Sequence, residues 1–74
     1  MQTLVFNTTQ KSIVLYEGSK NEGKVLEKME NIPTVVVRDN YYEVMQKRNM
    51  NPEFTLPVMR LPISNTNMFI VKED

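Results

Sequence analysis

Short apolar runs separated by polar segments predict five β-strands along the chain. Each run is rich in β-branched or aromatic residues, which favour an extended backbone. Residues 7–11, between the first two runs, are polar and have a length typical of a hairpin loop. The predicted strands are Thr3–Phe6, Ser12–Tyr16, Thr34–Val37, Leu56–Leu61 and Met68–Val71.

Two of these strands carry further expectations. Thr34–Val37 shows no apolar–polar alternation, which indicates a strand covered on both faces. Leu56–Leu61 contains Pro57 and is followed by Pro62, and proline cannot donate to a strand ladder. That strand should therefore begin at these prolines or run along a sheet edge. Residues 64–67 predict a turn, so we expect an antiparallel hairpin with the last strand.

The segment after the second predicted strand has the spacing of an amphipathic helix. Ser19 and Glu22 have capping-box spacing, and Pro33 would end the helix. Gly23 in the first turn weakens the pattern slightly. We therefore predict a helix over residues 20–31. Its apolar face consists of residues at i, i+1, i+4 and i+7, namely Val25, Leu26, Met29 and Ile32.

A second helix is predicted over Tyr41–Arg48, with Asp39 or Asn40 as its N-cap. Residues at helical spacing within it are Tyr41, Val44, Met45 and Arg48. The element order is then β-β-α-β-α-β-β, which is typical of an α/β fold with a mixed sheet. In such a fold the strands through Tyr16 and Val36 run parallel and are joined by a right-handed crossover.

Three segments follow one another in the order found in a known family of folds. They are the strand Ile13–Tyr16, the loop Glu17–Lys24 that opens a helix, and the segment Thr55-Leu56-Pro57-Val58. On this basis residues 12–62 resemble the glutaredoxin and NrdH-like branch of the thioredoxin fold. The resemblance implies a cis proline at Pro57. It also implies one domain, residues 1–74, in which 12–71 form a glutaredoxin-like core and 1–11 an extra N-terminal strand and loop.

The same resemblance implies where a partner would bind. In that family the backbone before the cis proline pairs with an extended partner segment, which corresponds here to Thr55, Leu56 and Pro57. The simpler interpretation is a proline that starts a strand. A contact surface beside this edge would consist of Ser19, Lys20 and Asn21, and the simpler interpretation of these residues is a solvated helix cap.

The adjacent tyrosines 41 and 42 cannot both face inward on one helix, so one of them is expected in the core and the other at the surface. We take Tyr42 as a candidate interface anchor, because exposed tyrosines are favoured at binding surfaces. A surface ring without a role is the alternative. Five glutamates are interpreted as solvated side chains, with a metal site made only of carboxylates as the alternative: Glu22, Glu27, Glu30, Glu43 and Glu53.

Composition restricts the chemistry. The chain has no Cys and no His, so thiol–disulfide exchange, zinc–thiolate sites and imidazole bases are excluded. We expect no enzyme activity, no cofactor and no metal. Nine basic residues balance nine acidic ones, which argues against nucleic-acid binding. No apolar run approaches the length of a membrane helix and no signal peptide is predicted, so we expect a soluble cytoplasmic protein.

The first functional hypothesis is a small non-enzymatic module that binds another protein. The chain has no alanine and twice as many Lys as Arg, six against three. This bias is typical of AT-rich genomes and suggests a phage-encoded modulator or inhibitor of a host protein. One alternative is a structural or assembly protein, such as a homodimer or virion component. The other is a carboxylate-dependent enzyme or nucleotide-binding protein.

Overall fold

A computed structural model describes residues 1–19, 23–48 and 51–73, with the backbone alone for residues 48 and 51–53. These residues form seven strands and no α-helix. A short 3-10 helix, Ile63–Asn65, precedes the last strand. The strands are β1 (Gln2–Asn7), β2 (Ser12–Glu17), β3 (Lys24–Met29), β4 (Thr34–Val37), β5 (Tyr41–Arg48), β6 (Asn51–Pro62) and β7 (Thr66–Val71).

The first sheet has the strand order β3-β2-β1-β7. β1 and β2 form the predicted antiparallel hairpin, with Phe6 opposite Ile13 and Leu4 opposite Leu15. β1 also pairs in parallel with β7, and Leu4 lies beside Met68. β1 is therefore an interior strand of this sheet, paired on one side with the next strand in sequence and on the other with β7.

The second sheet has the order β4-β5-β6 and is antiparallel throughout. Val44 in the central strand lies opposite Val35 on one side and Met59 on the other. Pro57 faces the next residue, Met45, so Val58 has no partner in β5. This β-bulge bends β6 and increases its local twist.

One core cluster joins the two sheets. Alternation along each strand places every second side chain on the inner face. Ile32, in the segment between β3 and β4, is fully buried and donates its N–H to the Lys11 carbonyl at 2.8 Å. This bond ties the connection between the sheets to the β1–β2 turn. The buried cluster is Leu4, Phe6, Ile13, Leu15, Ile32, Val44 and Leu61.

The predicted α/β fold is wrong, and so is the resemblance to the glutaredoxin branch, because the described residues contain no α-helix. β2 and β4, which contain Tyr16 and Val36, lie in different sheets and cannot form the expected parallel pair. The peptide bond before Pro57 is trans, as are all those that the structure describes. Within the segment 1–11, Gln2–Asn7 forms β1, an interior strand of the first sheet.

The helix predicted over residues 20–31 is also wrong. Lys24–Met29 forms β3 and pairs antiparallel with β2, while Val25 and Leu26 are exposed rather than buried on a helical face. The local hairpin between β2 and β3 satisfies the backbone that a helix would otherwise have paired internally. Lys20, Asn21 and Glu22, which include half of the proposed capping box, lie outside the described residues.

The helix predicted over Tyr41–Arg48 is β5, the central strand of the second sheet. Two further expectations about neighbouring strands are wrong. β4 is not covered on both faces, since Val37 is exposed and Val35 is only half-buried. β6 and β7 do not form a hairpin, because the 3-10 helix between them carries the chain from the second sheet to the first.

Candidate functional site

β6 is one of the two edge strands of the second sheet and its longest element, with 12 residues against 8 in β5. One side of an edge strand presents backbone N–H and C=O groups that have no partner within the sheet. β6 also contains Pro52, Pro57 and Pro62. Proline is common on edge strands and blunts continuous pairing, because it lacks the N–H.

Large apolar side chains project from this strand into solvent. Phe54 is 61% exposed, Leu56 46% and Val58 41%. Phe54 and Val58 lie at the two register shifts of the β5–β6 ladder, where β6 has residues without a partner in β5. We call residues 54–60 the β6 edge. A single exposed apolar residue is ordinary, but three on seven consecutive positions form a surface suited to contact.

A cavity of about 350 Å³ lies along the β6 edge and is lined by Pro57, Val58, Met59 and Arg60. Met59 packs against the core from its inner side, whereas Val58 and Arg60 remain exposed. The cavity therefore combines apolar walls with one guanidinium group.

Beside this cavity, three charged side chains form a cluster on the second sheet. Glu43 lies in β5 directly opposite Arg60 in β6. Arg38 follows β4, and its backbone N–H donates to the Tyr41 carbonyl at 2.9 Å, which closes the β4–β5 turn. Arg38 Nη2 donates to Glu43 Oε1 at 3.1 Å, and Arg60 Nε donates to Glu43 Oε2 at 3.1 Å. Each carboxylate oxygen thus receives one guanidinium donor.

Burial differs sharply within the cluster. The Glu43 side chain is 6% exposed, but those of Arg38 and Arg60 are 50% and 64% exposed. The Arg60 guanidinium carbon also lies 5.5 Å from the centre of the Tyr41 ring, within cation–π distance. The hydrogen bond from Arg38, followed by that from Arg60, lowers the pKa of Glu43 against the opposing effect of desolvation.

We predict that Glu43→Gln lowers stability at neutral pH and that its effect disappears in acid. The folded-state pKa of Glu43 lies below its unfolded value, so its contribution is complete above the unfolded pKa. The contribution is lost as the pH falls through the lower, folded-state pKa. Urea unfolding of both proteins from pH 7 to pH 2.5 measures this difference, and a gap independent of pH would contradict the prediction.

The structure brings three of the expected site residues together. Thr55, Leu56 and Pro57 are consecutive, exposed residues of β6. Ser19 is exposed after β2, in the other sheet, and Lys20 and Asn21 lie outside the described residues. A partner-binding role for these residues stays a prediction.

The tyrosine pair lies on a strand, so its members face opposite sides of the sheet. Tyr42 is half-buried and packs against the core cluster, while Tyr41 lies beneath Arg60. The role of Tyr42 as an interface anchor stays a prediction. The sequence does not predict the cluster of Arg38, Glu43 and Arg60, and the interpretation of Glu43 as a solvated side chain is wrong, because Glu43 is buried.

A second depression, about 230 Å³ in volume, lies on the outer face of the first sheet. Residues that line it include Val5, Val14, Tyr16 and Val71, together with the charged residues Lys28 and Glu73. Opposite charges and apolar side chains are mixed there without a group that selects one ligand.

Within the described ranges, no group of three or more His, Cys, Asp or Glu side chains could hold a metal ion. No helix in the described part of the chain is long and apolar enough to cross a membrane. Comparisons with protein-family models, with curated proteins and with solved structures found no match.

Proposed function

We propose that this protein is a small non-enzymatic module that binds another protein through the β6 edge. One observation carries the proposal: a 12-residue strand at the margin of the second sheet exposes Phe54, Leu56 and Val58. An extended partner segment can add to such an edge, with backbone hydrogen bonds supplying affinity and side-chain contacts supplying selectivity.

The prolines of β6 favour a different protein over a second copy as the partner. Pro52, Pro57 and Pro62 leave two four-residue runs with intact N–H donors, 53–56 and 58–61. If two copies of β6 paired with each other, both strands of the new ladder would lack N–H donors at their prolines. If the partner strand contains no proline, donors are missing from β6 alone.

The proposal retains the sequence-based expectation of a cytoplasmic, phage-encoded modulator or inhibitor of a host protein. The edge strand with its exposed apolar side chains supports this role without the glutaredoxin likeness or the cis proline, both of which are wrong. Blocking a host surface requires no catalytic group, which agrees with a chain that lacks both Cys and His.

Leu56→Lys tests the proposal against a closely matched control. Leu56 is 46% exposed on β6 and Leu26 is 47% exposed on β3, an edge strand of the other sheet. Wild type, L56K and L26K serve as baits in a lysate of the native cells, with cross-links mapped by mass spectrometry. We expect a stoichiometric partner cross-linked to residues 54–60, retained by L26K and reduced at least about tenfold by L56K.

Three results would overturn the proposal. These are the absence of a stoichiometric partner, equal recovery by L56K and L26K, and cross-links that avoid the β6 edge. Sedimentation velocity of the purified chain addresses the assembly alternative. We expect a monomer, whereas a dimer dissociated by L56K and not by L26K would show that the edge binds a second copy.

A further inference from the structure

We propose that the cluster of Arg38, Glu43 and Arg60 recognises an acidic side chain on the partner segment, so that the β6 edge selects an extended peptide in which a carboxylate follows apolar residues. This inference rests on the proposed function, because it names the chemistry that the same edge would select. It concerns two guanidinium groups that the fold itself uses only in part.

The two arginines have hydrogen-bond donors that the fold does not use. Among the described residues, each guanidinium makes one hydrogen bond, and both bonds go to Glu43. A guanidinium carries five N–H donors, so most of the donors on Arg38 and Arg60 remain for another acceptor. Both side chains are at least half exposed, which leaves these donors accessible from solvent.

Neighbouring side chains hold the two guanidinium groups in place before a partner binds. Glu43 is held on β5 in the middle of the sheet and fixes one point of each guanidinium. The Tyr41 ring supports Arg60 at 5.5 Å. An arginine held in this way loses less side-chain entropy when it binds an anion, and a planar guanidinium pairs well with a carboxylate. Glu43 is thus a positioning residue.

The net charge of the cluster favours a partner group with one negative charge. Two guanidinium groups and one carboxylate leave the cluster with a surplus of one positive charge. A carboxylate brings one negative charge and balances that surplus. A phosphate group brings nearly two negative charges and would leave an uncompensated charge beside the partly buried cluster. The cluster therefore fits an aspartate or glutamate better than a phosphorylated residue.

The cluster adjoins the apolar residues of the β6 edge. Arg60 lines the same cavity as Val58, and Leu56 lies two residues further along β6. Arg60 pairs with Glu43 and Leu56 with Gln46, three residues apart on β5, so the register places Arg60 and Leu56 on opposite faces of the sheet. Side chains of a partner strand alongside β6 also alternate between the two faces, so that strand can place apolar groups near Leu56 on one face and an acidic group near Arg60 on the other.

The experiment uses two blocked heptapeptides as probes. Valine alternates with glutamate in the first and with glutamine in the second. Each peptide is titrated into the ¹⁵N-labelled protein at low ionic strength and followed by NMR. We expect amide shifts centred on residues 54–60 and binding of the glutamate peptide about threefold to tenfold tighter. The preference should shrink in 0.5 M salt, since exposed charge pairs are screened.

Variants locate the charge effect. R60Q and R38Q should each reduce the preference for glutamate. K72Q, which removes one positive charge from an exposed position after β7, should leave it intact. R60K keeps the charge and serves as a second variant in case R60Q does not fold. A dispersed NMR spectrum would confirm that R60K is folded. R60K should recover part of the preference, because an ammonium attracts a carboxylate without the paired geometry of guanidinium.

The outcomes separate this inference from the proposed function. Equal binding of the two peptides at the β6 edge would overturn acidic recognition while supporting a docking edge. A preference for glutamate reduced as much by K72Q as by R60Q would also overturn the inference, since it would show a nonspecific charge effect. Binding of neither peptide would overturn it too, and the L56K and L26K baits would then decide the proposed function independently.

Discussion

Leu4→Ala is expected to lower the free energy of unfolding by about 2–5 kcal/mol. Leu4 is fully buried on β1, an interior strand of the first sheet, and contributes to the core cluster that joins the two sheets. Its truncation removes apolar contacts from the interior and leaves a cavity that neighbouring β-strands can only partly close. A small domain of this size has a stability of the same order, so much of the population should unfold at 37 °C.

Leu26→Ala is the matched control, because it deletes the same atoms from a half-exposed position on β3. We expect a change within about 0.5 kcal/mol for that surface substitution. Urea denaturation followed by circular dichroism measures both variants. Equal losses of stability in L4A and L26A would contradict a core centred on β1, and would reopen the arrangement in which residues 1–11 are peripheral.

Gly23→Ala should cost about 1–3 kcal/mol, even though alanine is ordinarily a small change. The Gly23 N–H donates to the Ser19 carbonyl at 2.7 Å, immediately before β3 begins. A Cβ added at Gly23 would press against the carbonyl oxygens of Glu17 and Ser19. Glycine permits this approach because it has no side chain, and the contacts are backbone atoms that cannot rotate away.

Lys24→Ala, at the next position, provides the comparison for G23A. Lys24 is exposed at the start of β3, so its replacement should change stability by no more than about 0.5 kcal/mol. Thermal unfolding of the two variants distinguishes them. If G23A melts at the same temperature as K24A, the close approach at this turn does not restrict the side chain. In a helix, as the sequence pattern predicted, Gly23→Ala would have been stabilising.

The strands rich in β-branched residues could be predicted from the sequence. Ser12–Tyr16 and Thr34–Val37 coincide closely with β2 and β4, and the β1–β2 hairpin follows from its short polar loop. Their side chains pack well on a pleated surface and restrict the backbone locally. For these segments, local preference and tertiary environment favour the same structure.

β3 and β5 could not be recognised in the same way. In Tyr41–Arg48 the apolar residues fit a helical period, yet Val44 is buried because β4 and β6 flank it in the second sheet. Lys24–Met29 is mostly exposed, so no buried face sets its period. In both cases the pairing partner decides the structure, and it lies outside the window from which periodicity is judged.

The candidate site shows the same division. The prolines and β-prone residues around position 57 predict an edge strand that contains Thr55, Leu56 and Pro57. These residues do lie on an exposed edge. The pairing of Glu43 with Arg60 depends on the register of β5 and β6, which are joined across a bulge at Val58. A one-residue slip would turn one of these side chains to the opposite face of the sheet, and nothing in the local sequence states that register.

The parallel pairing of β1 with β7 has a consequence for synthesis on the ribosome. Gln2 pairs with Thr66 and Asn7 with Val71, so β1 is synthesised well before the strand that completes this side of its sheet. Until then one side of β1 is without its neighbour, and the nascent chain exposes a strand that can bind other unfinished chains. Contacts so distant in sequence also slow folding, because closing the intervening loop costs entropy before the contacts form.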